Sequence, residues 1–193
     1  YKSLYESSSR ADREELYRWI EYYKIKFKSR VYTPLNNSEK YTLVLMGRAD
    51  FGLLGSYNKY KQTPFETFHV GGDGMTGSYT YATETIGLRG YDNGALTPYS
   101  DGRAYTRFSM ELHFPFLLQP SSTIYGLAFV EGGNAWTSLE NFNPFSLKRS
   151  AGVGVRIFLP MIGLMGIDWA YGFDKVQGEK GGGHFHFILG QEF

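Results

Sequence analysis

Residues 149–174, RSAGVGVRIFLPMIGLMGIDWAYGFD, decide the architecture. Ala151, Val153, Val155, Ile157 and Leu159 share one parity, against Ser150, Gly152, Gly154, Arg156 and Phe158 on the other. After the turn Pro160-Met161-Ile162-Gly163 the alternation resumes, with Met165, Ile167, Trp169, Tyr171 and Phe173 set against Gly166, Asp168, Ala170, Gly172 and Asp174. Successive side chains of a strand point to opposite faces, so a period of two sustained this long means a strand with one apolar face. Two such strands around a tight turn form an antiparallel hairpin, and each has about the 9–11 residues that cross a bilayer when tilted.

The same period runs outward in both directions. Downstream, a charged, glycine-rich loop over 175–183 precedes Phe185, Phe187, Leu189 and Phe193 interleaved with His184, His186, Ile188 and Gly190. Upstream, 124–136 sets Gly126, Ala128, Val130 and Gly132 against Tyr125, Leu127, Phe129 and Glu131. Residues 104–115 set Phe108, Met110, Leu112 and Phe114 against Arg107, Ser109, Glu111 and His113, and 41–51 set Leu43, Leu45, Ala49 and Phe51 against Thr42, Met46, Arg48 and Asp50. From about Trp19, Tyr23, Ile25, Phe27 and Val31 alternate with Lys24, Lys26, Lys28 and Arg30; that cationic face suits solvent in a sandwich and a water-filled lumen equally. Residues 1–17 read as a short helical turn in an outer loop, capped by Ser9 or Ser8 with Glu14 and Glu15 near its start.

Seven strands result, and their connections alternate short (34–40, 115–123, 160–163) and long (52–103, 137–148, 175–183). Transmembrane barrels sort their loops in this way, with short turns at one rim and long loops at the other. Closed single-chain barrels have an even strand number from eight upward, so seven strands predict part of a larger barrel with open sheet edges.

Composition agrees. Aromatic residues make up 18% of the 193, with 16 Tyr, 15 Phe and 24 Gly, while the mean hydropathy is only -0.34. Strands that meet lipid on one side, with aromatics at both interfaces, have this composition; a soluble β-sandwich stays open on composition alone. No run of 18 apolar residues occurs, which removes a transmembrane helix. Twenty Lys and Arg against 19 Asp and Glu leave a net charge of +1, without the basic excess of a nucleic-acid binder. Cysteine is absent, which excludes a disulfide framework and a thiolate metal site. No signal peptide is visible and Tyr1 is not a natural start, so the chain reads as mature or excised.

The stretch Thr63–Arg103 is too long for an idle link and too rich in Phe65, Phe68, Val70, Tyr79, Tyr81, Ile86 and Leu88 for a disordered one. At its centre stands Leu88-Arg89-Gly90-Tyr91-Asp92.

Taken in order, several runs resemble the BamA family of outer-membrane β-barrel assembly insertases over essentially the whole chain. They are Tyr22-Tyr23-Lys24, Tyr32-Thr33-Pro34-Leu35, Leu45-Met46-Gly47-Arg48, Pro64-Phe65-Glu66 with Gly71-Gly72, Leu88-Arg89-Gly90-Tyr91 and Trp169-Ala170-Tyr171-Gly172-Phe173. The last is a terminal pattern of Phe185, Phe187, Gly190 and Phe193. The resemblance implies an all-β antiparallel transmembrane barrel of roughly sixteen strands, of which this chain supplies the C-terminal portion as a single unit.

It implies further that the loop over 63–103 folds into the lumen, where Arg89, beside Gly90 and Tyr91, meets Glu111 and Glu131. The second of these stands where the family more often has aspartate. Both glutamates lie on the polar parity by the residue pattern itself, and an arginine–carboxylate pair there contributes about 1.5–3 kcal/mol, less in a wet lumen. The last strand, with Phe185, Phe187, Leu189, Gly190 and Phe193, is similar to a carboxy-terminal assembly signal, an amphipathic edge strand suited to β-augmentation. Gly190 is expected to weaken its ladder.

The implied function is assembly and insertion of β-barrel proteins at a lateral seam, without covalent chemistry, cofactor or metal. A polypeptide-secretion pore of the same superfamily and the barrel anchor of a surface enzyme are the alternatives. The implied partners are the lipid bilayer of a Gram-negative outer membrane, unfolded β-barrel clients and accessory lipoproteins; the open edges also allow self-association.

Other constellations carry less. His184 and His186 read as solvated residues at a loop end, for want of a third metal ligand. Gly71-Gly72-Asp73-Gly74 lacks the Lys-Ser/Thr of a phosphate loop, and no Gly-x-Ser-x-Gly elbow occurs. Asp50, Glu111, Glu131 and Asp168 have Arg48, Arg89, Arg107 and Arg156 available on the same parity, which suits charge balance in a lumen better than acid–base catalysis.

Overall fold

The computed structural model describes residues 2–7, 9–38, 41–75, 83–99, 101–119, 121–176 and 181–190. One antiparallel sheet dominates. Its strands are β1 (Tyr22–Pro34), β2 (Val44–Ser56), β5 (Ala104–Gln119), β6 (Ser122–Trp136), β7 (Lys148–Leu159), β8 (Gly163–Gly172) and β9 (Gly183–Leu189), paired in that order. The missing numbers are β3 (Phe68–Val70) and β4 (Glu84–Ile86), a short parallel pair inside the long loop. Among the described residues β1 and β9 do not pair with each other, so the sheet is open.

The strand ends joined by 35–43, 120–121 and 160–162 lie at one end of the sheet, and those joined by 57–103, 137–147 and 173–182 at the other. One strand runs past its expected end. Pro115 was expected to end its strand, yet β5 runs on to Gln119 through a register shift between Pro115 and Leu117. A bulge absorbs the missing N–H of proline. It also lays Phe116 over Gly126, where a Cβ would stand 2.8 Å from the ring. At the other end of the chain, β9 is described as far as Leu189, and Gly190 after it takes φ of 94°. Phe193 lies outside the described residues, as do Ser8, Tyr79 and Tyr81.

The two faces of the sheet are inverted relative to a soluble protein. The outward face is apolar and uncovered: Phe27, Val153 and Phe187 are 56–58% exposed. Phe51 packs edge-on against Phe108 at 5.4 Å and near Phe27 at 6.0 Å, which carries an aromatic row across β1, β2 and β5. On the other face Asp50, Arg107, Glu111, Glu131, Arg156 and Asp168 are all buried. A sandwich would cover its apolar face with a second sheet and leave its charges in water. Apolar-out and charged-in is the pattern of a transmembrane barrel wall.

The cover on the charged face is the loop between β2 and β5. Near the long-loop end it forms a small apolar core of Leu54, Phe68, Val70, Ile86 and Tyr105, with the Phe68 and Tyr105 rings edge-to-face at 4.7 Å. Before β1 lie two short helices, α1 (Lys2–Glu6) and α2 (Arg10–Tyr17). Ser9 occupies the N-cap position of α2 in extended geometry, but its side chain makes no capping bond.

Candidate functional site: an arginine seated on the charged face

The loop reaches the sheet as a second layer. Leu88 and Gly72 exchange backbone hydrogen bonds at 2.9 and 3.1 Å, which fixes the segment just before Arg89. Arg89 then descends onto the sheet, only 8% exposed. Its Nε donates to Glu131 Oε1 at 3.1 Å and its backbone N–H to Glu131 Oε2 at 2.9 Å, so one carboxylate holds both chain and side chain. Its terminal nitrogens reach Asp168 Oδ2 at 3.0 Å and Glu111 Oε1. The guanidinium carbon lies 3.5 Å from the centroid of the Phe129 ring, adding a cation–π contact. The structure thus brings Arg89, Glu111 and Glu131 together and adds Asp168, which the residue pattern had marked only for charge balance.

Around this centre the charges are paired in two groups, one about Asp168 and one about Asp50. Arg156 donates to Asp168 Oδ2 at 2.7 Å, Arg107 to Asp50 Oδ2 at 2.6 Å, and Arg48 to the same oxygen at 2.7 Å. Arg107 also donates to the Gly87 carbonyl of the loop at 2.7 Å, and His113 Nε2 lies 2.8 Å from Glu111 Oε2. Asp50, Glu111, Glu131 and Asp168 are matched by Arg48, Arg89, Arg107 and Arg156. Buried charges are tolerated only when paired and hydrogen-bonded in this way. The cavity left between loop and sheet beside Arg48, Glu111, His113 and Arg156 has about 130 Å³, room for a few waters.

Gly90 and Tyr91 seat the turn. Gly90 has φ of 87°, in the left-handed region that favours glycine. A Cβ there would meet Ser150 Cβ at 2.7 Å and the Gly172 nitrogen at 3.0 Å. Tyr91 donates its hydroxyl to the Arg149 carbonyl at 2.6 Å, and burial pushes its phenol up to about 12.

A second contact fixes the loop at β1. Lys24 Nζ meets Glu66 Oε2 at 2.8 Å and Glu84 Oε2 at 3.0 Å; Lys26 reaches Glu84 Oε2 at 3.1 Å. Burial alone would raise Glu84, but hydrogen bonds from Lys24 and Lys26 outweigh it and hold the carboxyl below its ordinary range. Glu66 occupies φ of 65°, an uncommon conformation for a non-glycine residue, held here by its ion pair to Lys24. The lysine face that suited solvent or lumen equally therefore meets the carboxylates of the loop.

The histidines require a correction. His184 and His186 were expected in solvent, yet His186 is 4% exposed and accepts the Gly90 N–H on Nε2 at 2.9 Å. His184 Nδ1 lies 3.1 Å from Asp92 Oδ1. Their parity did place them on the inner face, since His186 pairs across from Asp168. The extent of the loop, which covers that face as far as β9, had no local signature. Phe185, Phe187 and Leu189 of the same strand point outward, 58–69% exposed, and Gly190 lies just past its end.

In this arrangement each charged group is paired with another. Among the described residues no group of three or more His, Asp or Glu is arranged to hold a metal ion.

A sequence-family profile described as the Omp85 superfamily domain matches residues 10–193. Among solved structures, the chain is similar to BamA from Haemophilus ducreyi lacking POTRA domains 1–3, with 21% sequence identity and a TM-score of 0.62. That likeness covers 86% of this chain and 34% of the other, so the chain spans about a third of that structure's length. At this identity it is the fold that is shared.

Proposed function

The chain belongs to the Omp85 superfamily of outer-membrane β-barrel proteins, and from that premise we propose that it is part of an insertase that assembles β-barrel proteins into the Gram-negative outer membrane. The observation that carries this reading is the seated loop. Arg89, on a connection between β2 and β5, ties itself to β5, β6 and β8 at once through Glu111, Glu131 and Asp168. A strut of this kind braces β5, β6 and β8 next to the edge strand.

In this reading β9 is the strand at the seam. Among the described residues its outer side has no strand partner, and it turns an apolar row, Phe185, Phe187 and Leu189, outward. An incoming client strand adds to such an edge by β-augmentation, with main-chain hydrogen bonds supplying affinity and little demand on sequence. No bond is made or broken and no nucleotide is needed; the work comes from burying client strands in lipid. Unfolded barrel proteins are the proposed clients and accessory lipoproteins the proposed helpers.

Depletion of the protein in cells tests the reading. Other outer-membrane barrels are expected to accumulate unassembled; their normal assembly would overturn it.

A further inference from the structure

Among the described residues β9 is paired along one side, with every register partner on β8. Its inner face and its end are instead tied to the long loop at three points. Gly90 N–H donates to His186 Nε2 at 2.9 Å, His184 Nδ1 lies 3.1 Å from Asp92 Oδ1, and Leu189 N–H reaches Met75 Sδ at 3.2 Å. The two imidazoles lie nearly parallel, 6.2 Å apart and tilted by 28°, so both present one edge to the loop. The contact at His186 is the demanding one. The Gly90 N–H is buried, the turn that carries it is fixed by Arg89 on one side and Tyr91 on the other, and a buried donor without an acceptor is costly. Nε2 is therefore the unprotonated nitrogen of His186, held against the loop.

We propose that His184 and His186 latch β9 to the loop, so that seating of Arg89 and docking of β9 on the sheet form one coupled equilibrium. Pulling β9 away strands the Gly90 N–H and releases Asp92; lifting the loop removes the donor to His186 and the acceptors of His184 and Leu189, and leaves β9 held by β8 alone among the described residues. Coupling of this kind is reciprocal: whatever loosens one element loosens the other by the same factor. Its use at a seam, where β9 must let go for a client strand to enter, rests on the insertase reading. The coupling itself does not.

The test is amide hydrogen exchange of the full chain in lipid nanodiscs, which needs no client. His186→Leu is expected to raise exchange about tenfold or more both in β9 and in residues 86–91, as loss of a buried acceptor implies. His186→Gln, whose amide oxygen reaches the place of Nε2, is expected to restore both. Asp92→Ala, an exposed change that does not threaten folding, is expected to raise β9 exchange a few-fold with β5 to β7 unchanged. Arg89→Ala is expected to loosen β9 from a distance, and Arg89→Ala with His186→Leu to do no more than the larger single change, since coupled sites are not additive. If Arg89→Ala does not fold, the Leu-against-Gln comparison and Asp92→Ala decide alone. Unchanged β9 exchange in Asp92→Ala together with equal exchange in the Leu and Gln variants overturns the latch. A latch that passes these measurements in a protein whose depletion leaves barrel assembly normal would stand, while the insertase reading falls.

Discussion

Gly90 lies flat against Gly172, backbone on backbone, where the loop turn crosses β8: a Cβ on Gly90 would stand 3.0 Å from the Gly172 nitrogen and 2.7 Å from Ser150 Cβ. Two strains therefore meet in Gly90→Ala, the left-handed φ of 87° and a contact against backbone that cannot swing aside. The first costs about 1–2 kcal/mol by itself. Urea unfolding of the reconstituted protein is expected to show at least that loss, with Arg89 lifted from its carboxylates. A neutral substitution would mean that the turn is not seated against β8.

Arg89→Ala leaves Glu111, Glu131 and Asp168 facing one another with one cation fewer. Breaking a buried pair by removing one partner costs about 3–5 kcal/mol, more than the pair itself contributes. Arg89→Lys is expected to recover only part of this, because an ammonium cannot reach three carboxylates and lie over the Phe129 ring at once. Unfolding midpoints ordered wild type, Lys, Ala are the expected outcome; a lysine variant equal to wild type would show that point charge alone suffices.

The faces of the wall were legible because side-chain alternation is local. Glu131 and Phe129 fall on one side and Val130 on the other whatever the rest of the chain does. What lay against the inner face was not legible. The β3–β4 pairing joins Phe68 to Glu84 in parallel register, and the bridge from Gly72 to Leu88 depends on it; neither leaves a period in the sequence. The same blindness moved His186 from solvent to a buried acceptor and left Met75 without a role. The run of β5 beyond Pro115 was not legible for a different reason: whether a ladder bulges to accommodate a missing N–H is set by its partner strand.

Membrane exposure of the apolar face gives a sharper test than composition. Val153 sits mid-strand on β7, outward and 56% exposed, and pairs with Trp169 on β8. In lipid, Val153→Arg is expected to cost about 2–4 kcal/mol near the midplane, as arginine does on a barrel's outer wall. On a water-facing surface the same change stays within about 0.5 kcal/mol. Folding titrations into vesicles distinguish the two, and a small effect would remove β7 from the bilayer.

The contact at β1 responds to pH and salt in a way that the Arg89 centre does not. Glu84 is held below its ordinary carboxylate range, so the stability it contributes is fully present above the unfolded carboxylate's pKa and is lost as pH falls through the lower folded value. Lys26 and Lys28 have side chains 40–42% exposed, which puts their pairs within reach of screening, whereas Arg89 and its carboxylates are 0–11% exposed. With a Debye length of about 3 Å at 1 M salt, the β1 pairs weaken first. Limited proteolysis across 57–70 is expected to quicken in acid and in high salt, while exchange at the Arg89 backbone N–H stays slow. Glu84→Gln is expected to abolish the acid dependence without unseating Arg89. Acid sensitivity that persists unchanged in Glu84→Gln would place the titrating group elsewhere and leave the lysine face of β1 without this role.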